Sequence, residues 1–205
     1  MSQLIIHSLT KKYGNNVIFE NVSLELTSSN INFLIGGNGT GKSTFIKCLL
    51  DEIKYDGRIE KENLVFSYSP EKIILPDYIT INNFLLLLQV DKKITINDKE
   101  KLIDYYLVLF NIEKYKNVVM CKLSKGTRQK VILIQALMNK ADIYIFDEPL
   151  SGLDDISRKH FIEEVKKLKL QSKLIIISTH HLKEYRFKEK KVLRFPLKGD
   201  LICGL

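Results

Sequence analysis

The run Gly36-Gly37-Asn38-Gly39-Thr40-Gly41-Lys42-Ser43-Thr44 has the residue types and spacing to hold a polyphosphate. It fits the pattern Gly-x-x-x-x-Gly-Lys-Ser/Thr at every fixed position. Glycines let the backbone curl until successive N–H groups point at one anion. A helix starting at the end of the loop adds its positive N-terminus. Lys42 then reaches the β- and γ-phosphates, and the Ser43 hydroxyl serves Mg²⁺. Such a loop needs a strand before it and a helix after it. The apolar residues Ile31–Ile35 predict a buried strand, and residues 42–51 predict the helix. A glycine-rich turn that binds nothing would have no need of all three together. The chain is therefore expected to bind a nucleoside triphosphate.

A second pattern is Ile143-Tyr144-Ile145-Phe146-Asp147-Glu148-Pro149. An apolar strand delivers two consecutive carboxylates at its C-terminal end, where α/β proteins place ligands. Beside a phosphate loop, Asp147 is suited to hold Mg²⁺, mainly through its waters. Glu148 is suited to orient an attacking water or accept its proton. On its own this is an acidic turn after a strand; the phosphate loop makes it chemistry.

The elements around these residues read as a mixed α/β chain. Residues 4–9 and 17–26 alternate as strands, with Val22, Leu24 and Leu26 on one face. Phe45, Ile46, Leu49 and Leu50 form a helical apolar stripe. Asp56-Gly57 marks a turn into short strands, the second over residues 63–68. Pro70 and Pro76 punctuate an irregular segment. From residue 81 to about 138 the pattern is helical. Asn97 or Asp98 is a candidate N-cap, with Leu102, Tyr105, Tyr106 and Leu109 on one face. Ser124 can cap a further helix. Asp155–Leu170 is amphipathic through Phe161, Ile162, Val165 and Leu168. Residues 174–178 form an apolar strand of the buried parallel type. Residues 187–205, with Lys198-Gly199-Asp200 as a turn, read as a closing hairpin. The fold expected is α/β: a phosphate-loop core with a mostly parallel sheet, an antiparallel β part at the N-terminus and an inserted helical subdomain over roughly residues 78–138.

Bulk properties set bounds. The 205 residues suit one domain, with 45% hydrophobic and 27% charged residues as in an ordinary globular protein. The net charge of +8 comes from lysines spread along the chain and reads as a solvated surface. Cys48, Cys121 and Cys203 lie far apart without metal spacing, which suits a reducing compartment. The first residues lack a signal-peptide pattern, and no apolar run approaches 18 residues, so a cytoplasmic location is expected.

With these motifs in order, the chain resembles the nucleotide-binding domains of the ATP-binding-cassette (ABC) family. Leu123-Ser124-Lys125-Gly126-Thr127-Arg128-Gln129 resembles the family signature, usually Leu-Ser-Gly-Gly-Gln. Leu150-Ser151-Gly152-Leu153-Asp154 matches its D-loop. Thr179-His180 matches its switch histidine, with His181 the second choice. Tyr13, in Lys12-Tyr13-Gly14, sits where an adenine-stacking aromatic lies. The resemblance implies ATP and Mg²⁺ as cofactors. It implies nucleotide contacts from Tyr13, Gly36, Asn38, Gly39, Thr40, Gly41, Lys42, Ser43 and Thr44. Ser124, Gly126 and Asp154 would meet the nucleotide held by a second cassette. Lys42, Glu148 and His180 would act in hydrolysis, and Ser43, Asp147 and Glu71 would serve the metal. Three positions depart from the family pattern. Lys125 stands where the signature has a glycine, Thr127 where it has its glutamine, and Glu71 where the Q-loop has a glutamine.

The function expected is the ATP-hydrolysing subunit of a transporter, lying on the inner face of the membrane. It would power a separately encoded integral membrane permease through ATP-driven dimerisation. The signature variant resembles that of small exporters. The alternative is a soluble ABC ATPase acting on the ribosome or nucleic acid. Such proteins generally carry two cassettes or long coiled coils, which this chain lacks, so no nucleic-acid partner is expected. A small-molecule kinase would need an acceptor site in place of the D-loop and switch histidine.

Overall fold

The computed structural model describes residues 2–61, 63–88 and 95–197. Five parallel strands form its centre, in the order β5 (Phe66–Ser69), β6 (Ile143–Asp147), β7 (Leu174–Thr179), β3 (Ile31–Ile35) and β8 (Lys190–Arg194). β6 and β7 are buried along their whole length and are nearly all apolar, as a parallel strand covered on both faces must be. A second, antiparallel sheet has the order β2 (Asn16–Thr27), β1 (Gln3–Tyr13), β4 (Asp56–Glu60). This is the α/β architecture expected, with the antiparallel part at the N-terminus.

Between β5 and β6 the chain inserts α2 (Ile81–Leu88), α3 (Ile96–Leu109) and α4 (Lys125–Met138), which follow α1 (Lys42–Leu49) in the chain. The C-terminal part of α4 is apolar nearly all round and is correspondingly buried, from Val131 through Met138 apart from Gln135. The Ser67 hydroxyl donates to the Ala136 carbonyl at 2.7 Å, tying α4 to β5. α5 (Asp155–Leu170) has the predicted bounds and buries Phe161, Val165 and Leu168. Its buried Glu164 accepts from the Tyr106 hydroxyl at 3.2 Å and from Lys167 at 2.6 Å, so a carboxylate inside the fold fastens α3 to α5.

Some local expectations are corrected. The N-cap of α3 is Thr95, whose hydroxyl accepts from the Asp98 N–H at 3.2 Å; neither Asn97 nor Asp98 caps it. Asp98 instead sits in the first turn, where a carboxylate favours the helix N-terminus. The buried stripe of α3 is Ile103, Tyr106 and Leu107, with Tyr105 turned outward. Helix α1 ends at Leu49 and not at Asp51. β5 starts at Phe66, later than the expected residue 63. In the C-terminal segment β8 lies parallel beside β3. The turn at residues 198–200 and the rest of the expected hairpin fall outside the described residues.

One buried polar side chain locks the centre. Asn32 of β3 is fully buried, and its Nδ2 donates to the carbonyls of Thr27 and Ile175 at 3.1 Å and of Asn30 at 3.2 Å. It fixes the β2–β3 turn against β7. Asn32→Ala is expected to lower stability by about 1–3 kcal/mol, because buried carbonyls lose a donor. Urea unfolding of the two proteins measures this, and an unchanged midpoint would exclude the role.

Candidate functional site

Parallel register assembles the site. Ile35 lies opposite Thr179, and Asp147 lies opposite Ser178. The C-terminal ends of β3, β6 and β7 therefore meet at one edge. The phosphate loop, the acid pair and the Thr179-His180 segment leave the sheet there together.

The loop after β3 curls as its glycines require. Gly41 caps α1 at φ 102, and a Cβ there would meet Ile18 Cγ2 at 2.7 Å. The resulting cavity of about 390 Å³ is lined by residues 38–44, Ile18 and Glu71. The Lys42 ammonium is buried and donates to the Gly36 and Gly37 carbonyls at 2.7 and 3.0 Å. It stands 3.9 Å from Glu148 Oε1. The lysine is thus held by its own loop.

The acids are oriented by hydroxyls. Ser43 Oγ donates to Asp147 Oδ2 at 3.0 Å, and Ser178 Oγ donates to Asp147 Oδ1. The Glu148 N–H is held by the Ser178 carbonyl at 3.1 Å and the Ser178 hydroxyl at 3.2 Å. Glu148 has φ 48, a left-handed conformation unusual for a residue with a side chain. That turn aims its carboxylate back at the strand ends. Its Oε2 lies 2.8 Å from His180 Nδ1. Its Oε1 is buried without a hydrogen-bond partner among the described residues. An orphaned carboxylate oxygen in a buried site is a place for a water or a ligand donor. Ser43 and Asp147 offer adjacent hard oxygens, the donor chemistry Mg²⁺ selects, so they fit that ion.

Other expected site residues lie elsewhere. Tyr13, at the end of β1, is half exposed and does not line the phosphate-loop cavity. Lys11 Nζ lies over its ring, 4.6 Å from the centroid. Ser124 is the N-cap of α4, accepting from the Thr127 N–H at 3.2 Å. Gly126 follows in the first turn, where a Cβ would meet the Gly152 carbonyl at 2.9 Å. Asp154 caps α5, accepting from the Ser157 N–H at 2.9 Å. Neither Ser124, Gly126 nor Asp154 lines this chain's own phosphate-loop cavity. His181 stacks on His180 with ring centroids 3.8 Å apart but does not reach Glu148 through a hydrogen bond.

Three contributors were not singled out from sequence. Ser178 was read only as the end of an apolar strand, yet its hydroxyl orients both acids. Its polarity at the mouth of that strand was the available signal. Ile18 closes the cavity against Gly41. Lys130 Nζ is 2.6 Å from Asp154 Oδ2 and donates to the Phe110 carbonyl at 2.9 Å. That ammonium, helped by the Ser157 N–H, holds the Asp154 carboxyl well below the usual carboxylate range. It pins the D-loop to α4.

Residues 19–151 match the ABC transporter family. The zinc import ATP-binding protein ZnuC of Buchnera aphidicola subsp. Baizongia pistaciae is 36% identical over 180 residues, covering 86% of this chain and 73% of its own. A longer relative from Mycoplasma pneumoniae is 32% identical over 193 residues; the match covers 87% of this chain and 59% of that protein. A solved structure of the ATP binding subunit of an ABC transporter superposes with a TM-score of 0.84 at 26% identity, covering 98% of this chain and 90% of the other. The chain belongs to the ABC transporter family and has the fold of its ATP-binding cassettes.

Proposed function

We propose that this chain binds and hydrolyses ATP with Mg²⁺ and drives a membrane transporter whose permease is a separate polypeptide. The observation that carries the hydrolytic part is the convergence at Glu148. Its unpartnered buried Oε1 faces the Lys42 ammonium, and its Oε2 holds His180. Residues 38–44 and Lys42 would hold the phosphates, and Tyr13 would stack on adenine. Ser43 and Asp147, with Glu71 at the cavity wall, would hold Mg²⁺, which supplies charge neutralisation at the phosphates. Glu148 would orient a water and take its proton, and His180 would register the γ-phosphate.

Ser124, Gly126 and Asp154 lie away from this chain's phosphate seat, which supports a composite site closed by a second cassette, identical or related. The chain would then bind at the inner membrane face, since no helix among the described residues is long and apolar enough to cross a membrane. ATP would favour the closed pair, and loss of phosphate would release it. On the direction of transport two observations pull apart. The signature variant favours export, while the likeness to a zinc import protein favours import. Vectorial flux in reconstituted vesicles decides between them.

Glu148→Gln is expected to keep ATP affinity and to lose about 10²–10⁴-fold in turnover, the worth of a general base. Phosphate release measures this, and wild-type turnover would refute the assignment. Lys42→Ala is expected to lose at least about tenfold in ATP affinity by titration, because a buried cation facing the phosphates is gone. Tagged Glu148→Gln protein, isolated with ATP and Mg²⁺ from gently solubilised native membranes, is expected to bring down a stoichiometric integral membrane protein. Recovery only with ribosomes or nucleic acid would support the soluble alternative.

A further inference from the structure

We infer that Glu71 and Lys125 act as an electrostatic pair in nucleotide binding, with Lys125 a positioning residue that offsets the charge Glu71 brings to the phosphate seat. This rests on the proposed ATP binding. The two residues are the departures from the family pattern that add a charge, and the fold brings both to the wall of one cavity of about 640 Å³. Glu71 also lines the phosphate-loop cavity, so it stands between the two. Its carboxylate is exposed, and among the described residues it forms no hydrogen bond or ion pair. The same holds for the ammonium groups of Lys125 and Lys72. Arg128 and Gln129 line the same cavity, and among the described residues Arg128 Nε and Gln129 Nε2 are buried without hydrogen-bond partners.

A free carboxylate beside a triphosphate is repelled by it. A glutamine there would carry no such cost. Lys125, Lys72 and Arg128 line the same cavity as Glu71, and their charges can offset its repulsion, because charges within a Debye length of ~8–10 Å are only partly screened at physiological salt. Lys125 is the first residue of α4, directly after the capping Ser124. Its charge thus acts at the same helix start that would meet a partner's nucleotide. Pairing Glu71 with Lys125 couples the wall of one phosphate seat to the signature end of α4.

The test is a double-mutant cycle on Mg-ATP affinity, read by titration with wild type, Glu71→Gln, Lys125→Gln and the double variant. Glutamine is isosteric with Glu71 and, at Lys125, removes the charge while keeping a polar side chain of good helix propensity; urea unfolding checks that each variant is folded. Lys125→Gln is expected to weaken binding about three- to tenfold in the native background and by less than about twofold in the Glu71→Gln background. Lys125→Arg is expected to restore native affinity, and raising salt from ~0.05 to ~0.5 M should shrink the effect. An equal loss in both backgrounds would overturn the pairing. So would a loss reproduced by Lys72→Gln with none from Lys125→Gln. If wild type itself binds no Mg-ATP, the nucleotide-binding reading falls with it; normal wild-type binding with additive losses overturns the pairing alone.

Discussion

Asp147 is the point on which the site depends. Its two carboxylate oxygens accept from two different hydroxyls, Ser43 at the start of α1 and Ser178 at the end of β7. One buried charge thereby ties the phosphate loop to two neighbouring strands. A charge so placed is tolerable only with its oxygens satisfied. The parallel register of β6 against β7 does this by setting Asp147 opposite Ser178. Glu148 inherits the arrangement, since its N–H is held by the same serine and its strained turn aims the side chain at Lys42 and His180.

The nucleotide seat in this conformation is satisfied from within. Lys42 spends its hydrogen bonds on the Gly36 and Gly37 carbonyls, and Glu148 spends one oxygen on His180. These contacts are individually modest and can be exchanged for phosphate oxygens and water, which bind charge-assisted donors more strongly. Among the described residues Glu148 Oε1 has no hydrogen-bond partner, and the Lys42 ammonium 3.9 Å away offsets its charge. That oxygen marks where the chemistry is to be supplied from outside. The half of the machinery that would face a partner is held differently. Lys130, buried in α4, grips Asp154, and Gly126 packs close to the Gly152 carbonyl, so the helix start and the loop before α5 are tied to each other.

Local patterns were legible where local physics decides them. The phosphate loop is a contiguous motif whose glycines, lysine and serine act through neighbouring backbone. α5 was read to its ends because Asp154 caps it and its apolar stripe is regular. Thr95 was passed over as a cap because Asn97 and Asp98 are equally good capping types, and only the helix start shows which hydroxyl meets an N–H. Tyr105 and Tyr106 could both have faced inward; both hydroxyls donate to Glu164 on α5, and Tyr106 alone is buried, on the face of α3 that also buries Ile103 and Leu107.

The sequence by itself determined the α/β class, the phosphate loop and the order of the acid pair, D-loop and histidine, because each rests on spacing within a few residues. Only the tertiary structure decided which groups meet. It chose His180 over His181 as the partner of Glu148, made Ser178 a site residue and set Lys130 against Asp154. It also brought Glu71 and Lys125 to one cavity. Those pairings follow from strand register and helix packing between distant segments, and no spacing along the chain encodes them.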